Sequence, residues 1–191
     1  MWPLLLTSVI SLSVVLERLF FIASMKLSRQ PNRVEVLFSA VERDEMDEAI
    51  EIGKKSHDFV VRVLTYALEH RDKSYSNALL KAAGQELSRF TQRLYILDTV
   101  ITLAPLLGLL ATVTGMIHAF GLLGNKELSA PTVITGGIAE ALIGTAFGLG
   151  IAIIALIPFN FLNSKTEEAR HDIEDGSTQL ELICQSVLQP R

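Results

Sequence analysis

The sequence has little of what many functional sites need. Cys184 is its one cysteine, so an internal disulfide and a cysteine-based zinc site are excluded, and we interpret its side chain as a buried apolar group. The net charge of -4 gives no excess of basic residues for nucleic acid. No motif of a known hydrolase or metalloprotease is present, and no glycine-rich phosphate loop follows a strand pattern. We therefore expect no enzyme, no metal site, no cofactor and no nucleic-acid partner.

Long apolar stretches dominate what the sequence does contain, since 49% of its residues are hydrophobic. They cover residues 1–23, 98–120 and 138–161. Each is long enough for a helix of roughly 20 residues, which crosses about 30 Å of hydrocarbon. A secretory signal peptide is the alternative for the first stretch, but a basic region before it and a small-residue cleavage site after it are both missing. The pattern predicts an all-α membrane protein with three transmembrane helices.

Basic residues flank the three spans unequally. The lysines and arginines nearest to the ends of the spans lie in the polar regions 24–95 and 162–191. They are Lys26, Arg29, Arg33, Arg89, Arg93, Lys165 and Arg170. The connector 121–137 between the second and third spans holds Lys126 alone. Because cytoplasmic loops carry the excess of lysine and arginine, we expect both polar regions in the cytoplasm. The N-terminus and the connector are then expected on the outer side.

The polar region after the first span shows apolar residues at helical spacing. Pro31 suits the first turn of one helix. A second helix is predicted over residues 44–52 and is expected to end at Gly53. A third is predicted over residues 59–68. The region is therefore expected to be helical, with no strand.

A fourth apolar pattern runs from Leu79 to Leu97 and meets no helix-breaking residue before the second span. We therefore expect one long helix, which extends the second span into the cytoplasm as a stalk. Apolar residues in the tail, 162–191, recur at spacings of three and four. The tail is expected to continue the third span and to pack on the stalk helix of its own or a neighbouring subunit.

Small residues lie on one face of each of the last two spans. Such residues let helix backbones approach closely and predict helix packing within an oligomeric bundle. The glycines expected at these contacts are Gly108, Gly115, Gly144 and Gly148. Proline removes one backbone hydrogen bond from a helix, so Pro105 and Pro158 are candidate kinks.

Three polar side chains in these spans are candidates for an ion pathway. Measured from the midpoints of the apolar runs, Thr112 and Thr145 lie at one depth, within about 2 Å. The alternative is that their hydroxyls bond to carbonyls of their own helices. Glu140 is the one ionisable residue of the third span, where a carboxylate is costly and by default functional. Its alternative is a carboxylate solvated from outside, and His118 is given no role.

Two motifs carry a resemblance to a known family. They are A-P-x-x-G-L-x-x-T-V-x-G at residues 104–115 and G-I-A-E-A-L-x-x-T-A at residues 137–146. With a first span ending in Glu17-Arg18-Leu19 and a large polar loop, the chain resembles the MotA/TolQ/ExbB proton-channel family, and its ExbB branch most. Ala111 departs from the glycine of many relatives, and Pro158 lies about one turn later than their proline. The chain is also expected to start directly in the span, without the leader helix of longer relatives.

The resemblance implies a homopentamer in the bacterial inner membrane, in contact with lipid. Its central lumen would hold the single-span helices of an ExbD-like or TolR-like partner dimer. Thr112 and Thr145 would line the pore, and Glu140 would be the glutamate of the third span. Proton flow would drive a TonB-like protein that energises outer-membrane transport. A TolQ-like role in the Tol-Pal envelope system and a passive membrane scaffold are the alternatives.

Overall fold

The computed structural model of this protein describes residues 2–121 and 131–188, with the backbone alone at residues 72, 73, 131–134 and 186–188. The predicted connector 121–137 lies partly outside the described residues. Within them the chain is helical. The helices are α1 Trp2–Leu27, α2 Pro31–Glu42, α3 Met46–Lys54, α4 Phe59–Glu69, α5 Arg71–Thr91, α6 Leu94–Gly121 and α7 Pro131–Leu188. The prediction of an all-α protein is therefore confirmed for the described part of the chain.

The chain divides into two compact units. One consists of Met1–Arg18 and Arg93–Leu162, and we call it the membrane unit. The other consists of Leu19–Gln92 and Asn163–Arg191, and we call it the polar unit. Helices α1 and α7 contribute residues to both units.

The three predicted spans are confirmed as helices long and apolar enough to cross a membrane. The candidate spans are Trp2–Leu27, Leu94–Gly121 and Thr135–Gln185, with mean hydropathies of 2.0, 2.1 and 2.3. Only 17 to 22% of their apolar windows is buried within the chain. In water so large an apolar surface would be covered, and lipid or neighbouring protein can cover it here.

One side of helix α1 is buried within the membrane unit. Its buried residues recur at spacings of three and four: Leu4, Thr7, Ser11, Val14 and Arg18. The Thr7 hydroxyl donates to the carbonyl of Leu4 at 2.9 Å, so this polar side chain is satisfied within its own helix. Large apolar side chains such as Leu5, Leu6 and Val9 are exposed instead. Polar groups inside and apolar groups outside are the arrangement that a lipid environment favours.

The polar unit is built around α4, whose apolar residues were predicted to form one helical face. Val61, Leu64 and Leu68 are almost fully buried there, beside Leu37 of α2 and Leu180 of α7. The tail of α7 therefore joins this core. Its buried positions keep the predicted spacing: Thr166, Ala169, Ile173, Gly176, Leu180 and Ile183. A Cβ atom on Gly176 would lie 3.0 Å from Val60 Cγ1, so the tail packs directly on α4. The same core also contains Ala82 and Phe90 of α5.

A buried carboxylate joins three segments of the polar unit. Asp58 is 0% exposed and accepts a hydrogen bond from the backbone N–H of Val60 at 2.9 Å, which caps α4. It also accepts from the backbone N–H of Gln30 at 2.7 Å and from Arg29 at 2.9 Å. The same guanidinium reaches Asp172 on α7 at 3.0 Å and lies over the Phe59 ring. A buried charge needs such a set of partners to be tolerated.

Gly53 corrects one prediction from the sequence. It was expected to end a helix, but α3 continues to Lys54 and its C-cap residue is Lys55. Gly53 is buried, and a Cβ atom there would lie 1.8 Å from the hydroxyl oxygen of Thr65. The glycine is therefore needed for close packing of α3 on α4, not for a change of chain direction.

The predicted continuous helix into the second span is also wrong. Helix α5 ends at Thr91 and α6 begins at Leu94. Between them Gln92 is extended, with ψ 131°, and Arg93 has a φ of 64°. That left-handed conformation is unfavourable for a residue with a side chain, and the Arg93 side chain forms an ion pair with Glu17 at 3.0 Å. The third span does continue into the tail, since α7 runs as one helix to Leu188.

The sequence predicted that the Cys184 side chain is a buried apolar group. In the structure Cys184 is half-buried on α7. Burial raises the pKa of its thiol, which opposes formation of the reactive thiolate. Burial also raises the pKa of Tyr75, whose hydroxyl has no hydrogen-bond partner among the described residues. Both groups are therefore expected to stay protonated and inert.

We expect Arg29→Ala to destabilise the full-length protein by about 3 kcal/mol, because it leaves the Asp58 carboxylate buried without its cation. The matched control is Arg43→Ala, which removes an exposed ion pair with Glu45 and should cost under about 1 kcal/mol. Thermal unfolding of the two variants in detergent makes the comparison. Equal shifts in melting temperature would contradict the importance assigned to the Asp58 network.

Candidate functional site

The face of small residues predicted on α6 and α7 is the surface through which these helices contact each other. A Cβ atom on Gly148 would lie 2.5 Å from the carbonyl oxygen of Ala104 and 3.0 Å from Gly108 Cα. A Cβ atom on Gly108 would in turn lie 3.0 Å from Thr145 Cα. These neighbours are backbone atoms, which cannot move aside as a side chain can. Glycine is therefore required at Gly148, and a side chain at Gly108 would displace the Thr145 backbone by a few tenths of an ångström.

The same contact surface continues toward the end of α6. A Cβ atom on Gly144 would lie 2.7 Å from Ala111 Cβ, and one on Gly115 would lie 2.9 Å from Ala141 Cβ. All four glycines predicted to pack helices thus do so within one chain. The contacts fix the antiparallel register of α6 and α7, residue against residue.

Thr145 makes a hydrogen bond across this interface. Its hydroxyl donates to the carbonyl oxygen of Gly108 at 2.9 Å, and the side chain is half-buried. The Gly108 carbonyl is accessible because no side chain stands beside it. A hydrogen bond between helices within a membrane contributes about 1 kcal/mol and fixes their relative rotation. Thr145 therefore holds the two helices together, whatever further part it has in an ion pathway.

Thr112 behaves differently. Its hydroxyl donates to the Leu109 carbonyl of its own helix at 2.7 Å, which is the alternative considered from the sequence. The hydroxyls of Thr99, Thr102 and Thr114 also bond back within α6. A role of Thr112 in lining a pore remains a prediction.

The contacts between the helices bear on the depth of Thr112 and Thr145. The Thr145 hydroxyl reaches the Gly108 carbonyl, whereas the neighbouring Gly144 lies against Ala111 and Ala141 lies against Gly115. By these contacts Thr145 is level with a point between residues 108 and 111 of α6, about 2–6 Å from Thr112 at 1.5 Å per residue. That the two threonines lie at one depth stays a prediction.

Glu140 lies beside this interface, in a groove of the membrane unit. The groove has a volume of about 350 Å³. It is lined by Pro3 and Leu4 of α1, Leu107, Leu110, Ala111, Thr114, Gly115 and His118 of α6, and Gly137, Glu140 and Ala141 of α7. Glu140 is exposed, and among the described ion pairs none involves it. The structure thus presents a carboxylate in a groove whose lining is mostly apolar.

The groove also contains a residue that the sequence analysis set aside. His118 of α6 lines it together with Glu140, although the two residues are far apart in sequence. Spacing within one helix cannot reveal such a pair, since only the register of α6 against α7 brings them together. Pro105 and Pro158, the candidate kinks, lie inside helices that continue past them. A bend at either proline stays a prediction.

Comparison with known proteins identifies the family. The profile of the MotA/TolQ/ExbB proton channel family matches residues 38–175, well over half of the chain. The chain belongs to this family. The match includes all of α6 and both motifs noted in the sequence. With three helices able to span a membrane, this member of the MotA/TolQ/ExbB family is a membrane protein.

Individual relatives come from both the ExbB and the TolQ branches of the family. A Synechocystis sp. protein named ExbB-like 1 is 35% identical over 194 residues, which cover 98% of this chain and 76% of that protein. Biopolymer transport protein ExbB of Aquifex aeolicus is 42% identical over 94 residues, 49% of this chain and 64% of that protein. Tol-Pal system protein TolQ of Haemophilus influenzae is 33% identical over 121 residues, 63% of this chain and 53% of that protein.

We expect Gly148→Ala to destabilise the contact of α6 with α7 by about 1–3 kcal/mol, because its methyl group would meet backbone atoms. Gly150→Ala is the matched control, since a Cβ atom there has no neighbour within 4 Å. It should be neutral or stabilising by up to about 1 kcal/mol, owing to the higher helix propensity of alanine. Thermal stability in detergent tests this, and equal behaviour of the two variants would refute the contact.

Proposed function

We propose that this chain is the energising subunit of an ExbB-type complex in the bacterial inner membrane. Several copies, by family resemblance five, surround the single-span helices of an ExbD-like or TolR-like partner. Protons pass along the wall of the resulting lumen, and a TonB-like protein transmits the work to transport across the outer membrane. The chain itself is a transport subunit, without a catalytic reaction of its own.

The position of Glu140 is the observation that carries the proposal. The carboxylate is exposed on the third span, and an ionisable group inside a membrane span is placed where water or protein meets it. No ion pair among the described residues involves this carboxylate. The exposed face around Glu140 therefore favours a site completed by a neighbouring subunit or by a partner helix. Proton transfer is the activity for which a carboxylate is suited in such a place.

The packing of α6 on α7 supports a rigid wall for this site. Backbone contacts at Gly108 and Gly148 leave no room for the helices to slide past each other. The Thr145 hydroxyl, bonded to the Gly108 carbonyl, adds a directional constraint. A rigid wall keeps Glu140 at a fixed depth while a partner helix moves against it, which is what a stator requires. A hydroxyl has a free lone pair even when it donates, so Thr145 can also accept from water or from a partner.

A TolQ-type role in the Tol-Pal system is the second candidate. The 33% identity with TolQ of Haemophilus influenzae favours it, whereas the ExbB relatives favour the first. Both roles use the same proton-driven subunit. Identification of the single-span protein that co-purifies with this chain separates them, because the partner determines which system is energised.

We expect Glu140→Gln to abolish proton flux through the purified complex in liposomes, because the amide has the same shape but cannot carry the proton. Assembly, measured by native mass spectrometry, should be unchanged. A complex that assembles and conducts normally with Gln at this position would contradict proton coupling and support a passive scaffold instead.

The same assay separates the two contributions of Thr145. Thr145→Val removes the hydroxyl at similar volume, so it should lower thermal stability by about 1 kcal/mol and reduce proton flux. Thr145→Ser keeps the hydroxyl and should restore both. Thr114→Val is the matched control, since that hydroxyl bonds only within its own helix. A Val variant at Thr145 with normal flux would place the pathway elsewhere.

A further inference from the structure

The groove of the membrane unit contains two ionisable side chains on two different helices. His118 lies three residues before the end of α6, and Glu140 lies on α7. Both are exposed. Of the described residues that line the groove, these two alone are ionisable. Helix α1 contributes only the apolar residues Pro3 and Leu4. An imidazole and a carboxylate therefore face one space.

The register of the helices places these groups in an order of depth. A Cβ atom on Gly137 would lie 2.7 Å from Ala119 Cβ, so His118 is level with about residue 138. Glu140 is then about 3 Å further along the hairpin, and Thr145 about 8 Å beyond Glu140, at 1.5 Å per residue. His118 is nearest to the end of the hairpin that is predicted to face outward. The three polar groups thus follow one another from that end toward the middle of the span.

The groove has room for water between the two groups. Its volume of about 350 Å³ exceeds that of several water molecules, at roughly 30 Å³ each in the liquid. The remaining polar side chain of the lining, Thr114, donates its hydroxyl to carbonyls of its own helix at 2.9 and 3.2 Å. That leaves His118 and Glu140 as the groups that can exchange a proton through water there.

We propose that His118 is the outer proton-entry residue of this subunit and delivers protons to Glu140. This rests on the proposed function, which it extends by one residue. The neutral imidazole takes a proton from outer water and becomes an imidazolium ion. It then passes a proton, directly or through one water molecule, to the Glu140 carboxylate, which becomes a neutral carboxylic acid, and the imidazole is neutral again. One proton has moved inward, and no other co-reactant is needed.

Histidine suits this step because an imidazole ring can both accept and donate a proton, as general acids and bases do. A direct transfer from water to the carboxylate competes with the relay only when outer protons are abundant. The loss of His118 is thus expected to matter most when outer protons are scarce.

Proton flux is measured with the complex purified with its native partner and reconstituted in liposomes, while the external pH is varied. We expect His118→Gln to slow flux about tenfold at about pH 8 and far less at about pH 5. His171→Gln, which alters an exposed histidine of the tail, is the matched control and should leave flux unchanged at every pH. Wild-type flux in His118→Gln over the whole pH range would overturn the relay.

Chemical rescue distinguishes a relay from a structural role. In His118→Ala, imidazole added outside the liposomes should restore flux, because the groove is open and the free base can replace the missing side chain. Imidazole should not restore flux in Glu140→Gln. An assembled His118→Ala complex without rescue would overturn the relay. A Glu140→Gln complex that conducts normally would instead overturn the proposed function, and the relay with it.

Discussion

The backbone contact between α6 and α7 is the constraint on which the rest of the membrane unit depends. Gly148 stands against the Ala104 carbonyl at a distance that no side chain would permit, and Gly108 stands close against Thr145. In lipid there is little hydrophobic driving force between helices, so such close packing and interhelical hydrogen bonds hold them together. The contact aligns the two helices, and that alignment determines which polar groups share the groove with Glu140.

The polar unit of the same chain is stabilised by different means. Its core is a set of large apolar side chains around α4, as in a water-soluble helical domain. At the edge of that core the buried Asp58 carboxylate draws together the start of α2, the cap of α4 and, through Arg29, the tail of α7. Small residues and backbone contacts organise one unit, whereas apolar burial and an ion network organise the other.

Much of this fold could be predicted from residue spacing, because spans and apolar helix faces are local patterns. The small-residue face of α6 and the buried face of the tail were predicted in this way. Arg93 shows a limit, since a residue without any helix-breaking tendency adopts a left-handed conformation between α5 and α6. Gly53 shows another, because a packing glycine and a helix-ending glycine look alike in sequence. The pairing of His118 with Glu140 depends on register, which is set by contacts between distant segments.

The most direct test of this account measures the register of α6 against α7 in the membrane. In a chain with Cys184→Ser, cysteines are introduced in pairs, and disulfide formation under mild oxidation is read from a gel shift after thiol labelling. The account predicts a cross-link for Ala119→Cys with Gly137→Cys, whose positions are in contact. It predicts no cross-link for Ala119→Cys with Ala139→Cys. Those two positions would be level if the midpoints of the second and third apolar runs were aligned. Cross-linking of the second pair and not the first would contradict the alignment and, with it, the placement of Thr145 and Glu140.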